Sequence, residues 1–101
     1  MIIYYTKEGK FISPRHKRIS DDKLHRKDGP AVIIPNYYEA WWLNGKLHRL
    51  DGPAIKRVTG YKSWHINGKS LNTKEVEKWI KNNNIILKTK KGQSLFMLRF
   101  G

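Results

Sequence analysis

Cysteine is absent from this chain of 101 residues. Without it the protein can form no disulfide, no cysteine-ligated zinc site or iron–sulfur cluster, and no cysteine nucleophile. The first residues lack the basic-then-apolar order of a secretory signal, and no apolar run reaches the roughly 18 residues that a membrane-spanning helix needs. We therefore expect a cytoplasmic protein in a reducing compartment.

Acidic residues are scarce as well. Eight Asp and Glu stand against 21 Lys and Arg, which gives a formal net charge of +13. Hydrophobic residues nevertheless make up 39% of the chain and aromatic residues 12%. Such a composition is typical of a chain that folds and not of a disordered polycation. The length predicts a single domain, residues 1–101, with one modest core.

An internal repeat without gaps organises the middle of the chain. The sequence Lys-Leu-His-Arg-Lys-Asp-Gly-Pro-Ala-Val at 23–32 recurs at 46–55 as Lys-Leu-His-Arg-Leu-Asp-Gly-Pro-Ala-Ile, an offset of 23 residues. The sequence Trp-Trp-Leu-Asn-Gly-Lys at 41–46 recurs at 64–69 as Trp-His-Ile-Asn-Gly-Lys with the same offset. Residues 18–22 align as a degenerate third copy. A repeat of this kind predicts stacked copies of one supersecondary unit.

Each unit carries the signals of β-hairpins. The pairs Asn44-Gly45 and Asn67-Gly68 favour two-residue turns of type I′, in which both residues need positive φ. Asp-Gly-Pro at 28–30 and 51–53 marks a second turn, after which proline can only begin a strand. The predicted fold class is therefore mainly β with one short helix, an antiparallel meander of 23-residue hairpin repeats.

The alternation of side chains predicts which residues of the repeat are buried. Trp41 and Leu43 share one face of their strand, and Trp64 and Ile66 occupy the equivalent positions one unit later. We expect these four residues to form one apolar ladder, with Trp41 over Trp64. Trp42 is expected to point to the other face.

The residues on either side of the array predict caps. Asn72 or Thr73 is suited to be the N-cap of a short helix, and Val76, Trp79 and Ile80 form an apolar stripe that would close the open face of the sheet. The chain then divides into four predicted segments: N-terminal cap strands at 1–17, the repeat array at 18–71, a helix at 72–84 and a C-terminal hairpin at 85–101.

Cations next to exposed aromatic rings are the ingredients of a surface for single-stranded nucleic acid. Lys and Arg hold phosphates, and the rings stack on bases. The alternative is a solvated positive surface that keeps a small protein soluble. The candidate residues for binding nucleic acid or another anionic partner are the cations Arg15, Lys17, Arg18, Lys56, Arg57, Lys88, Lys90 and Lys91, and the rings Tyr37, Tyr38, Trp42 and Tyr61.

The pairs His25 with Asp28 and His48 with Asp51 resemble general-base dyads. Because a repeat gives both pairs the same environment, whereas catalytic pairs need environments that differ, we expect structural roles for them, with each imidazole bonded to the Asp or to a loop carbonyl. No ligand spacing for a metal, phosphate-binding loop or catalytic triad is evident. We expect no enzyme, no cofactor and no metal site.

The eight residues Leu-His-Arg-x-Asp-Gly-Pro-Ala at 24–31 and 47–54 resemble the core of the MORN-repeat-variant modules. These are β-hairpin repeats that are frequent in small proteins of tailed phages and large DNA viruses. The resemblance covers about residues 18–71. It implies an antiparallel repeat sheet and a viral or phage origin, with no assigned activity. A small basic protein of this kind would bind a component of the infected cell.

Three binding hypotheses remain open. The leading one is a non-catalytic, strongly basic protein that docks on RNA, DNA or a nucleoprotein complex in the host cytoplasm. The second is an anti-defence or host-takeover inhibitor that blocks an acidic surface of a host enzyme. A membrane partner ranks last, because no amphipathic helix with a basic face is predicted. The edges of a short sheet can pair between chains, so that a monomer and a dimer are both open.

Overall fold

The computed structural model describes residues 1–14 and 17–101, which form nine strands and two helices. Seven strands make one antiparallel sheet in the order β2-β1-β3-β4-β7-β8-β9, and β5 pairs with β6 in a separate two-stranded ladder. The predicted mainly-β, antiparallel hairpin fold is confirmed. The elements are β1 (Ile2–Thr6), β2 (Gly9–Ser13), β3 (Val32–Ile34), β4 (Tyr38–Ala40), β5 (Trp42–Leu43), β6 (Lys46–Leu47), β7 (Ile55–Arg57), β8 (Lys62–Ile66), β9 (Lys69–Leu71), α1 (Thr73–Asn82) and α2 (Lys90–Phe100).

The hairpin turns of the repeat have the backbone geometry that the sequence predicts. The φ angles are 51° at Asn44 and 75° at Gly45, and 49° at Asn67 and 82° at Gly68. Positive φ at both central residues is what a type I′ turn needs. The first pair joins β5 to β6 and the second joins β8 to β9.

Successive units stack turn upon turn. The amide of Gly45 donates a hydrogen bond to the carbonyl oxygen of Leu24 at 2.9 Å, and the amide of Gly68 donates to that of Leu47 at 2.8 Å. A Cβ atom on Gly45 would lie 2.8 Å from the Cα atom of Asp22. The turn therefore packs directly on the degenerate copy, which forms a single 3₁₀ turn at Asp21–Lys23.

The N-terminal residues extend the array, as predicted. Strands β1 and β2 form a hairpin in which Ile2 lies opposite Ser13. Strand β1 also pairs with β3, where Tyr4 lies opposite Val32. The cap thus adds two strands to the edge of the repeat sheet.

Helix α1 covers the other end of the sheet, also as predicted. The side-chain oxygen of its N-cap, Asn72, accepts a hydrogen bond from the amide of Glu75 at 3.0 Å, which satisfies a donor that has no partner within the helix. Val76 is fully buried, and Trp79 and Ile80 pack against the same cluster. This cluster also contains Trp64 and Ile66 of β8.

The predicted C-terminal hairpin at 85–101 is wrong, because the end of the chain forms helix α2. Phe96 and Phe100 are four residues apart, so that a helix places them on one side, where both are buried. Leu98 between them is 83% exposed, whereas a strand would have put all three on the same face. The continuous apolar run fits either period, and packing on α1 and β8 decides in favour of the helix.

Gly92 lets helix α2 begin close to the preceding segment. A Cβ atom at this position would overlap the backbone of Ile86. The hydroxyl of the N-cap, Thr89, accepts a hydrogen bond from the amide of Gly92 at 3.0 Å and donates one to the carbonyl oxygen of Ile86 at 2.7 Å. The Lys-Lys-Gly sequence that predicts a hairpin turn is thus the first turn of a helix.

The expected ladder of Trp41 over Trp64 is also wrong. Trp64 is 5% exposed and packs edge-on against Phe96, with ring centroids 5.7 Å apart. Trp41 is half-buried and lies outside this cluster, and the guanidinium carbon of Arg49 lies 3.7 Å from the centroid of its ring. The two helices bury the indole of the last unit, whereas the interior unit covers its own indole with an arginine.

The two faces of the sheet differ in what covers them. Arg57 and Lys56 are neighbours on β7 and so point to opposite faces. Lys56 lies opposite Lys62 of β8, and the Nζ atom of Lys62 lies 2.7 Å from the carboxylate of Glu77 in α1. Lys56 is therefore on the face that the helices cover, and Arg57 is on the other face with Tyr38, which lies opposite it on β4.

Candidate nucleic-acid interface

A cleft of about 280 Å³ lies on the face of the sheet that carries Tyr38 and Arg57. Most of its lining is aromatic or aliphatic, and β3 contributes Val32 and Ile34. We call it the aromatic cleft; the polar and aromatic side chains that concern its chemistry are Tyr4, Arg18, Tyr37, Tyr38, Trp42 and Arg57. Five of the residues that the sequence predicts for an anionic partner are therefore brought together here.

Arg57 is an exposed cation of the aromatic cleft. Its guanidinium carbon lies 4.9 Å from the ring centroid of Tyr61 and 5.8 Å from that of Tyr38, within the range of a cation–π contact. Tyr61, another residue predicted from the sequence, thus adjoins the cleft. Among the described residues no carboxylate pairs with Arg57, so that its charge is available to a ligand.

Arg18 is the second cation of the aromatic cleft, and it is paired. Its Nη2 atom donates a hydrogen bond to Oδ1 of Asp21 at 2.7 Å, and this bond raises the pKa of the guanidinium. The side chain of Arg18 is 74% exposed. Asp21 also lines the cleft, so that two positive charges and one negative charge surround it.

Tyr38 has a perturbed phenol. Burial raises the pKa of Tyr38, and the positive charges of Arg57 and Arg18 oppose that rise. The phenol is therefore protonated at neutral pH and can both donate and accept a hydrogen bond.

Trp42 is less exposed than the sequence predicts. Trp42 does lie on the face away from the helices, but it is half-buried and packs against the buried cluster of Tyr4, Leu24 and Ala31. Strand β1 and the segment before β3 cover part of this face, which isolated strand alternation does not reveal. Its indole is therefore part of the wall of the aromatic cleft.

The other predicted cations are distributed over different surfaces. Lys17 is exposed next to Arg18, and Lys56 points to the opposite face of the sheet. Lys88, Lys90 and Lys91 are exposed around the start of α2, on the helix-covered side. Arg15 lies outside the described residues. The predicted single binding surface is thus wrong, because alternation along β7 and the helical C-terminus separate its cations.

The repeated histidines lie in the contact between units. Nδ1 of His25 accepts a hydrogen bond from the amide of Asn44 at 2.9 Å, and Nδ1 of His48 accepts one from the amide of Asn67 at the same distance. Each imidazole thus holds the hairpin turn of the following unit. Burial lowers the pKa of His48, which fits an imidazole whose Nδ1 must remain an acceptor.

The partners expected for the repeated histidines, the Asp or a loop carbonyl, are wrong: the imidazoles accept from amides, and arginines bind the aspartates. Nε of Arg26 lies 3.2 Å from the carboxylate of Asp28, and Nε of Arg49 lies 2.7 Å from that of Asp51. In both units the Nη1 atom also donates to the carbonyl oxygen of the proline two residues after the aspartate, at 3.1 Å. We call this arrangement the arginine clamp.

The arginine clamp is completed by an aromatic ring on one side and a glycine on the other. The guanidinium carbon of Arg26 lies 3.9 Å from the ring centroid of Tyr5. That of Arg49 lies 3.7 Å from the ring centroid of Trp41. A Cβ atom on Gly29 would lie 2.9 Å from the guanidinium carbon of Arg26. Sequence reasoning missed this role, although an arginine at the same place in both copies, two residues before Asp-Gly, was its signal.

Neither a metal centre nor a membrane span is found in residues 1–14 and 17–101. No three His, Asp or Glu side chains in this part of the chain are grouped as metal ligands. None of the helices described is long and apolar enough to cross a bilayer.

Compared with family models, with curated proteins and with solved structures, the chain matches none of them.

Proposed function

We propose that this chain is a non-catalytic binding protein that docks on nucleic acid, free or in a nucleoprotein complex, through the aromatic cleft. The observation that carries the proposal is Arg57, an exposed guanidinium without a carboxylate partner among the described residues, close to the rings of Tyr38 and Tyr61. Phosphate binding by arginine and base stacking on tyrosine are the two interactions that hold single strands on proteins.

The net charge supports the same proposal at long range. A charge of +13 on 101 residues creates a positive potential that attracts polyanions and speeds their association. This attraction does not select a sequence and falls with salt. Discrimination between single strands and other polyanions in the proposed complex therefore comes from the aromatic cleft, while the remaining lysines contribute affinity.

The proposed setting is the cytoplasm of an infected cell. The resemblance of the repeat to the MORN-repeat-variant modules of phages and large DNA viruses supports this part of the proposal. A viral protein without a catalytic site acts by occupying a host component, and nucleic acid or a nucleoprotein is the component that fits this charge.

Fluorescence anisotropy of labelled RNA and DNA strands, titrated with the protein at several salt concentrations, tests the proposal. We expect binding at low salt, with the logarithm of the binding constant falling linearly with the logarithm of the salt concentration. If neither RNA nor DNA binds at the lowest salt concentration, the proposal is wrong.

A second candidate function is inhibition of a host enzyme through an acidic surface. The specific observation is that two apolar side chains of the C-terminal segment are exposed, Leu98 at 83% and Ile86 at 63%, in a segment that also carries the exposed Lys88, Lys90 and Lys91. Apolar side chains next to cations fit a protein surface that is rich in Asp and Glu.

Retention of a partner after nuclease treatment separates the two functions. For the inhibitor, immobilised protein should retain a host protein from a nuclease-treated lysate, and Leu98→Ser should release it without unfolding the chain. For the nucleic-acid binder, nuclease treatment should remove whatever co-purifies. Retention that Leu98→Ser leaves intact contradicts the second candidate.

A further inference from the structure

We infer that the aromatic cleft holds one unpaired base of a single-stranded nucleic acid, with an adjacent phosphate on Arg57. This inference rests on the proposed function and specifies the form of nucleic acid that binds and the part of it that is recognised.

The size of the cleft suits a single flat group. Its volume of about 280 Å³ is just below the range of about 300–1,000 Å³ that is typical of sites for drug-sized ligands. Two side chains from neighbouring strands, Tyr38 and Arg57, lie directly opposite each other at this site. A single flat group such as one base fits such a space.

The lining offers π and aliphatic surface beside its charged groups. Tyr37 is 46% exposed, Tyr38 and Trp42 are half-buried, and Val32 and Ile34 are aliphatic. Every base has a π face, so that stacking on such rings tolerates any sequence. The neutral phenol of Tyr38 is a polar group that can reach the edge of a base.

The charges place the phosphate next to Arg57. Arg18 is held by Asp21 at 2.7 Å, and the carboxylate of Asp21 repels a phosphate that approaches that side. Arg57 has no such partner in the described part of the chain. A strand that inserts a base into the cleft therefore has its backbone on the side of Arg57, where guanidinium and phosphate can form two parallel hydrogen bonds.

A duplex does not satisfy this arrangement. Bases within a duplex are stacked and paired, and one can enter a protein pocket only after it is unstacked and turned out, which costs a few kcal/mol. Unpaired bases in a single strand or loop have no such barrier. The cleft thus favours single strands, whereas the lysines elsewhere on the protein do not distinguish between the two forms.

Comparison with an abasic strand provides the decisive test. Anisotropy is measured for a single strand, for an abasic strand of equal length and charge, and for the duplex, each as DNA, and for the single strand also as RNA. We expect the natural single strand to bind about tenfold more tightly than the abasic strand, with the same dependence on salt. Equal affinities for the natural and abasic strands overturn the inference and leave the proposed function intact. No binding of any strand overturns the proposed function itself.

Variants of the cleft assign the effect to its residues. Tyr38→Leu should abolish the preference for the natural strand over the abasic strand. Binding of the natural strand should quench tryptophan fluorescence in the wild type but not in Trp42→Phe, in which Trp79 remains in the helix-side cluster as an internal control. Circular dichroism of each variant verifies the fold. Quenching that persists in Trp42→Phe contradicts the assignment of the base to this cleft.

Discussion

The guanidinium carbon of Arg49 lies 3.7 Å from the centroid of the Trp41 ring, and the same guanidinium reaches Asp51 at 2.7 Å. The side chain is 17% exposed and is therefore mostly buried. The indole of Trp41 is thus covered by an arginine, whereas that of Trp64 is covered by apolar residues. The planar guanidinium is suited to this position because it can stack and donate several hydrogen bonds at once.

Replacing Arg49 should destabilise the fold. We expect Arg49→Ala to lower the free energy of unfolding by about 2–3 kcal/mol, since it removes a cation–π contact and leaves the carbonyl of Pro53 without its donor. Arg49→Lys should recover little, because an ammonium cannot stack and form the fork of hydrogen bonds. Urea unfolding measures both. The control is Arg99→Ala, which removes an exposed arginine whose guanidinium carbon lies 4.8 Å from the ring centroid of Phe100 but which is not part of a clamp. Full stability of Arg49→Lys contradicts the clamp.

The glycine behind the same arginine gives a second prediction. A Cβ atom on Gly52 would lie 2.8 Å from the guanidinium carbon of Arg49, and we expect Gly52→Ala to cost about 1–3 kcal/mol of stability through this overlap. In the Arg49→Ala background the overlap disappears. A double-mutant cycle by urea unfolding should therefore show strong coupling between the two sites; additive effects would exclude the contact.

The helical C-terminus can be verified with two alanine substitutions at nearby positions. Phe96 is fully buried and Leu98 is 83% exposed. We expect Phe96→Ala to destabilise by about 3–5 kcal/mol and Leu98→Ala to change stability by less than about 0.5 kcal/mol. In a strand these residues would share one face, and the two truncations would have similar effects. Thermal unfolding followed by circular dichroism measures the difference.

Stability should decrease below about pH 6.5, the ordinary pKa of histidine. Burial lowers the pKa of His48 and that of His65, so that in this range the unfolded chain binds more protons than the folded chain and stability rises with pH. The stabilisation is complete above about pH 6.5 and is lost as the pH falls towards the lowered pKa values. At His48 the added proton also removes the acceptor for the amide of Asn67.

Urea unfolding between about pH 5 and 8 follows this titration. The double variant His48→Gln/His65→Gln should be less stable at neutral pH and should have a flatter dependence on pH. A wild-type profile that is as flat as that of the variant would contradict the prediction.

Two adjacent cations test which face binds nucleic acid. Arg57 lies in the aromatic cleft and Lys56 on the opposite face, although both are exposed. Arg57→Gln and Lys56→Gln remove the same charge, and bulk electrostatics therefore predicts equal losses of affinity. We expect a loss of about tenfold for Arg57→Gln and a smaller, about twofold loss for Lys56→Gln. Anisotropy at one salt concentration measures both, and equal losses would mean that the cleft has no special role.

The features that the sequence predicts correctly are those that depend on neighbouring residues. Asn44-Gly45 and Asn67-Gly68 form the expected turns because positive φ is a local requirement. Asn72 caps α1 for an equally local reason. The repeat predicts how the units are arranged, because one offset of 23 residues relates each unit to the next.

The features that sequence reasoning misses depend on distant parts of the chain. Whether 95–100 forms a strand or a helix is decided by Trp79, which contacts Phe96 and Phe100 at centroid distances of 6.3 and 5.4 Å. Trp42 is partly covered because β1 pairs beside β3. The candidate site was predicted as one surface and is divided, because its residues were grouped by charge along the chain and not by the face of the sheet.

The stacked turns at Asp22, Gly45 and Gly68 have a consequence for how such a protein changes size. In each unit the imidazole accepts a hydrogen bond from an amide 19 residues further on, in the turn of the next unit. None of these bonds depends on the total number of units. An in-frame duplication of one unit would therefore lengthen the molecule while leaving both ends as they are. The array of units ends where the two helices cover the last unit.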